Sequence, residues 1–216
     1  KNQIQSLAGN ALLTVPVLAL NHVPLNKANL YQFALSPLDD VAELTKRAST
    51  DGHKRALVLL PDNELGKRTY TYLSSNWQAL NGTILDSQFY KPGTTDFSTT
   101  LKRLLKIGNT PTPSVQVSNA ATMAYPQAAD VLFLSAYNKE GRIINNQLNN
   151  IQPSNMAVYA LPSIYSGVSD SVNDNSLNGV TFCDTPWLFM GAYSGELGMN
   201  ALHDVWKKYP LTYIRL

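Results

Sequence analysis

The sequence predicts an α/β fold with two lobes, in which parallel sheets are flanked by helices. Two observations carry this prediction. Between residues 55 and 161, apolar segments of strand length alternate with segments of helical periodicity. The run at 55–60 is almost entirely apolar, as expected for a strand that is buried on both faces. Alternation of this kind favours right-handed crossovers between parallel strands.

The first fifty residues predict a short helix, two strands and a second helix. Apolar residues at positions 4, 7 and 8 have helical spacing, and the segments 15–20 and 31–35 have the composition of strands. Asp39 and Asp40 then lie in the first turn of a helix, where acidic side chains complement the helix dipole. The predicted apolar face of this helix consists of Val41, Leu44, Thr45 and Ala48.

Residues 55–107 predict two strand–helix units. The strand at 55–61 is followed by a helix from about residue 65 to residue 80, which Asn81-Gly82 ends in a left-handed conformation. Asp62 is predicted to cap this helix. The segment 83–90 alternates as a strand does, and Asp96 is predicted to cap a helix over 97–107.

The pattern is interrupted between residues 108 and 130. Three prolines lie there among Ser, Thr, Asn and Ala, which is typical of an inserted surface loop. After it, the periodicity predicts elements in this order: a strand at 131–135, a helix at 139–151, a strand at 156–161, a polar loop to 178, a strand at 180–183 and a helix at 197–209.

These elements are predicted to form two lobes. Residues 52–162 contain enough strands and helices to bury a sheet, whereas the flanking pieces are each too small to do so. Residues 1–51 and 163–216 are therefore expected to combine into a discontinuous first lobe, only part of which lies in this chain. The chain starts at Lys1 and ends at Leu216 without a cap, and we interpret both ends as cuts in a longer polypeptide.

Composition and motifs argue against several functions. The net charge is +2 with scattered Lys and Arg, so nucleic-acid binding is not expected. The apolar runs are much shorter than a membrane span. Cys183 is the single cysteine, and the three histidines lack the spacing of metal ligands. No phosphate-binding glycine motif is present. We therefore expect no metal and no cofactor.

The sequence also predicts no enzyme. Asp62, Glu64 and Asp86 could be proposed as an acid/base set, but the first two are better explained as a helix cap and a first-turn acid. The serines that follow predicted strands lack the Gly-x-Ser-x-Gly motif of a nucleophile elbow.

The strand ends predict a polar cleft. Open α/β sheets bind ligands beyond the carboxyl ends of their strands, and converging polar groups there mark a small-molecule site. The candidate cleft residues are Asn21, His22, Ser36, Asn63, Tyr137, Ser163 and Tyr165. The set does not pair an acidic with a basic group, so it predicts no charged clamp for a zwitterion.

Several segments resemble known proteins. Those at 33–37, 62–66 and 95–98 resemble the type I periplasmic binding proteins. The segments Pro16–Asn21 and Leu65–Arg68 and, most specifically, Asn178–Trp187 resemble the LppC family, also called the LpoA family, of penicillin-binding protein activators. This resemblance covers nearly the whole chain. It implies a two-lobed fold like that of the type I periplasmic binding proteins.

The resemblance also implies a function and a location. Such proteins are outer-membrane lipoproteins of Gram-negative bacteria that face the periplasm, bind a class A penicillin-binding protein and stimulate peptidoglycan synthesis. Their lipid anchor and N-terminal helical domain would lie outside this chain. The resemblance assigns no single partner-binding residue, and the 108–130 loop is a candidate contact surface or an insertion without a role.

Two functional hypotheses remain. The first is a non-catalytic regulator of peptidoglycan synthesis. The second is a periplasmic solute-binding receptor for an amino acid, an amide or a cell-wall fragment.

Overall fold

The computed structural model describes residues 14–20, 27–32, 37–107, 129–151, 156–167 and 170–184. These residues belong to two compact units, the first ending at Asp39 and the second starting at Asp40. The predicted helices at residues 4–8 and 197–209 and nearly all of the predicted loop at 108–130 lie outside the described residues.

The first unit contains a parallel pair of strands, β1 (Val17–Ala19) and β2 (Leu30–Gln32). Both fall within or next to the segments in which strands were predicted. Asn29, directly before β2, has a φ of 63°, a left-handed conformation that asparagine tolerates better than most residues.

The second unit is built on a parallel sheet with the strand order β4–β3–β5–β6–β7. Its strands are β3 (Arg55–Pro61), β4 (Thr83–Tyr90), β5 (Val131–Leu134), β6 (Ala157–Ala160) and β7 (Val180–Phe182). Residues 56–60 of β3 and all of β5 are buried. These two strands lie inside the sheet, and helices cover both of its faces. The structure thus confirms the predicted fold class.

Among the described residues, two helices cover each face of this sheet. On one face lie α1 (Pro37–Thr50) and α2 (Glu64–Ala79), and on the other lie α3 (Ser98–Leu104) and α4 (Asn138–Ile151). The predicted apolar face of α1 is buried as expected. Helix α3 is shorter than predicted, and its N-cap residue is Phe97, so the predicted cap Asp96 is wrong. The Asp96 carboxylate accepts the backbone N–H of Ser98 at 2.9 Å instead. Within the described ranges, no helix is long and apolar enough to cross a membrane.

The division into lobes differs from the prediction in two elements. Helix α1 was expected in the first lobe, but Leu44 and Ala48 pack in the same cluster as Val58 of β3. Strand β7 was also expected there, but it pairs with β6, so that Val158 lies opposite Val180. An apolar stripe predicts that one face of a helix is buried, but it does not indicate which sheet covers that face. The rest of the predicted first lobe stays a prediction.

The connection that follows β6 is anchored along one side of α4. It contains two short 3-10 helices, Pro162–Ile164 and Asp174–Leu177. Arg142 Nη2 lies 2.7 Å from Asp174 Oδ1 and 3.3 Å from Asp170 Oδ2. Asn145 Nδ2 donates to the carbonyl of Ser176 at 2.8 Å. These bonds hold the polar connection against the helix.

We expect this anchor to weaken at acidic pH. Hydrogen bonds from Asn173 and the Arg142 guanidinium hold the pKa of Asp170 below its ordinary value. Burial by itself raises the pKa of Asp174. Hydrogen bonds from Arg142 and from the Asp170 N–H outweigh this effect, so the pKa lies below its ordinary value. A carboxylate whose pKa is lowered by folding stabilises the folded state. This stabilisation is present above the pKa of the unfolded chain, about 4, and is lost as the pH falls through the lower pKa of the folded state.

The measurement is hydrogen-exchange protection of residues 170–178 at pH 6 and pH 3, corrected for intrinsic rates. Protection should fall at pH 3, and Arg142→Met should remove most of the difference. Arg47→Met, which removes an exposed pair with Asp51, is the matched control and should leave it unchanged. Equal protection of the connection at both pH values would contradict the prediction.

Candidate functional site

The candidate site lies at the carboxyl edge of the second sheet, where the chain leaves β3 and β5 in opposite directions. From β3 it passes through α2 to β4, the strand on one side. From β5 it passes through α4 on the opposite face to β6, the strand on the other side. Such a reversal opens a crevice between the two strand ends, where α/β sheets bind ligands.

The end of β3 is held by a helix cap. Asn63 is the N-cap residue of α2, and its Oδ1 accepts the backbone N–H of Gly66 at 2.8 Å. The prediction that Asp62 caps this helix is therefore wrong. Its carboxylate is exposed and lies 3.4 Å from Lys67 Nζ. The helix starts at Glu64, and capping geometry requires the acceptor directly before that position.

Replacement of Asn63 by alanine should cost about 1 kcal/mol of stability, because one helix N–H loses its acceptor. The matched control is Asp62→Ala, which removes an exposed ion pair and should change stability by less than about 0.5 kcal/mol. Hydrogen exchange of the α2 amides would measure both values. If Asp62→Ala proved the more damaging change, the assignment of the cap would be wrong.

The ends of β5 and β6 are bonded to each other. Ser163 Oγ donates to the carbonyl of Ala136 at 2.9 Å, and Asn138 Nδ2 donates to the carbonyl of Ile164 at 2.9 Å. The ring of Tyr165 packs on that of Phe182 with centroids 5.6 Å apart. These contacts hold the segments that follow β5 and β6 in place at the carboxyl edge of the sheet.

The structure brings some of the predicted cleft residues to one edge. Tyr137 follows β5 with 69% of its surface exposed, and Ser163 and Tyr165 follow the adjacent strand half-buried. Asn63 follows β3, although its side-chain oxygen is engaged in the cap. The other three residues, Asn21, His22 and Ser36, lie outside the described residues.

A tyrosine of the edge strand reaches across this region. Tyr90 is the last residue of β4, and its hydroxyl oxygen lies 3.0 Å from the Ser135 carbonyl and 3.1 Å from Glu140 Oε2, two acceptors that share its single hydrogen. The other oxygen of Glu140 accepts the backbone N–H of Gly93 at 2.8 Å. Only 3% of the surface of Tyr90 is exposed. We call Tyr90, Gly93, Ser135 and Glu140 the Tyr90 latch.

The electrostatics of the latch keep the phenol neutral. Burial, followed by the nearby Glu140 carboxylate, raises the pKa of Tyr90 well above its ordinary value. The hydroxyl therefore remains a donor at any physiological pH. It is suited to holding the strand end in place and not to transferring a proton.

Tyr90 and Glu140 were not among the residues predicted from the sequence. They are 50 residues apart, and neither belongs to a motif. The available signals were an aromatic at the last position of an alternating strand and an acid in the first turn of a helix, and both are common features without a functional meaning of their own.

Comparison with known sequences places this chain in a family. A sequence model described as "LppC putative lipoprotein" matches residues 1–199. The chain is similar to the penicillin-binding protein activator LpoA of Histophilus somni strain 129Pt, with 29% identity over 87% of the chain and 29% of the relative. It is 30% identical to LpoA of Haemophilus influenzae over 79% of the chain and 26% of that protein. The chain thus spans less than a third of these relatives.

Comparison with solved structures bears on the fold. The C-domain of LpoA from Haemophilus influenzae, described as a regulator of PBP1A, matches with a TM-score of 0.64 and 24% identity, over 89% of this chain and 53% of that one. The leucine-binding protein LivK of Thermotoga maritima matches with a TM-score of 0.58 and 14% identity, over 83% of this chain and 45% of that one.

These similarities confirm the predicted likeness to the type I periplasmic-binding-protein fold. Because the family model matches nearly the whole length, this chain belongs to the LppC family.

Proposed function

We propose that this chain is part of a non-catalytic regulator that binds a class A penicillin-binding protein and stimulates peptidoglycan synthesis. The protein would act from the outer membrane, on its periplasmic face, through a lipid anchor outside this chain. The observation that carries the proposal is the family match over residues 1–199, together with relatives named as penicillin-binding protein activators. The chain would contribute a folded domain and no chemistry of its own.

Bonds within the second unit fix several side chains of the carboxyl edge. The side chains of Asn63, Tyr90, Glu140 and Ser163 all bond to backbone groups of this unit. An activator must bind the active state of its partner more tightly than the inactive state. A firm surface suits that task, because little ordering has to accompany binding.

Binding to the partner tests this proposal. The full-length protein should bind the class A penicillin-binding protein of the same organism when either one is immobilised. A matched sample that lacks residues 1–216 of this chain shows whether the domain contributes to that binding. Absence of binding by the full-length protein, with both proteins folded, would contradict the proposal.

The second candidate is a solute-binding receptor. It is favoured by the structural similarity to the leucine-binding protein LivK. The internal bonding of the carboxyl edge argues against it. The receptor would take an amino acid, an amide or a cell-wall fragment.

A thermal-shift screen of such compounds separates the two candidates. A ligand at 100 times its Kd adds about 2.7 kcal/mol of stability. We expect no compound of the screen to raise the melting temperature. A reproducible rise with one compound class would favour the receptor.

A further inference from the structure

A side chain of the protein itself reaches across the crevice expected between β3 and β5. In the sheet order, β3 separates β4 from β5. The hydroxyl of Tyr90, at the end of β4, nevertheless lies 3.0 Å from the carbonyl of Ser135, directly after β5. The tyrosine side chain must therefore pass over the end of β3, where the crevice lies.

The ring of Tyr90 packs against a second aromatic ring in the core. The ring of Phe97, which is fully buried, meets Tyr90 edge-on at a centroid distance of 5.2 Å. Tyr90, Phe97 and Ala136 belong to one buried cluster on the α3 and α4 face of the sheet. A ring-sized ligand would have to displace the phenol from this position.

The segment that follows Tyr90 is bonded to α4 at two points. The N–H of Gly93 donates to Glu140 Oε1 at 2.8 Å, and the N–H of Phe97 donates to Gln147 Oε1 at 2.7 Å. Both acceptors belong to α4, about two turns apart. Residues 91–97 are thus held against α4 by side chains from a different part of the chain.

We propose that Tyr90 is a built-in occupant of this crevice and that the Tyr90 latch closes the second unit to small ligands. A side chain of the protein then occupies the position at which this fold otherwise binds a ligand. The inference concerns this unit alone and does not depend on the identity of any protein partner.

A buried reporter thiol tests the proposal. Ala136 is 2% exposed, and Ala136→Cys in the full-length protein places a thiol beside the latch at little change in volume. Alkylation with a maleimide is measured at residue 136 by mass spectrometry. Adding Tyr90→Ala should accelerate this labelling at least about tenfold, because the crevice then opens to solvent. Phenol, the probe that replaces the lost ring, should slow it again and raise the melting temperature.

Two further variants separate local opening from general loss of stability. Tyr159→Ala removes an equally buried tyrosine from the opposite face of the sheet and should leave labelling at residue 136 unchanged. Glu140→Ala keeps the Tyr90 ring but removes an acceptor of the latch, so it should accelerate labelling by a smaller factor. It provides the test if the Tyr90 variant does not fold.

The outcomes are distinct. Accelerated labelling with Tyr90→Ala or Glu140→Ala but not with Tyr159→Ala, together with protection by phenol in the Tyr90 variant, supports the built-in occupant. Labelling that neither latch variant changes would overturn it. Equal acceleration by Tyr159→Ala would also overturn it, because the thiol would then report general unfolding.

Discussion

Replacement of Phe133 by alanine is expected to lower the stability of the second unit by about 3–5 kcal/mol. Phe133 lies at the centre of β5 with no exposed surface. Its ring meets Trp77 at a centroid distance of 4.9 Å and Tyr159 at 6.4 Å, both edge-on. Truncation would leave a cavity among side chains from three elements and would remove both aromatic contacts.

Native-state hydrogen exchange of the β5 amides measures this loss for the second unit alone. The matched control is Tyr137→Ala, four residues later, because this aromatic side chain is mostly exposed and its removal should cost less than about 0.5 kcal/mol. Similar losses for the two variants would show that the packing of this face is not as described.

Replacement of Gly66 by alanine is expected to destabilise the unit by about 2 kcal/mol, although alanine favours a helix by about 1 kcal/mol over glycine. A Cβ at this position would lie only 2.0 Å from the carbonyl oxygen of Pro61. That oxygen belongs to the backbone at the end of β3, so the helix start or the strand end would have to move. The sign of the effect is therefore opposite to that of helix propensity.

The control for Gly66→Ala is Ser75→Ala, an exposed position in the same helix, which should be near neutral. Exchange of the α2 amides measures both variants. A stabilising Gly66→Ala would mean that the helix does not start against Pro61.

Much of the fold of the second unit could be predicted because its signals are local. The apolar run of β3 and the alternation of β4 predicted the observed bounds 55–61 and 83–90. Register is not local. Ile84 lies opposite Ala56 but Asp86 lies opposite Leu57, so Leu85 forms a bulge that no residue pattern indicates. The lobe to which α1 and β7 belong was missed for the same reason, since it depends on contacts between distant segments.

The candidate site was less predictable than the fold. The strand ends could be located, but the internal partners of their side chains could not. Asn63 and Asp62 are both good caps, and a shift of one residue in the helix start decides which one is used. Tyr90 and Glu140 meet only because the sheet order brings β4 within reach of α4. A polar residue at a strand end therefore indicates a position and not a free binding group.

The most direct test of the proposed function is the turnover of the purified class A penicillin-binding protein with and without the full-length protein. We expect the rate of peptidoglycan synthesis to rise to a plateau as the regulator is added, and a tenfold rise would require at least about 1.4 kcal/mol of preference for the active state. The Phe133→Ala variant should raise the rate less at a given concentration. A rate that stays unchanged at concentrations where the two proteins are bound would contradict the account.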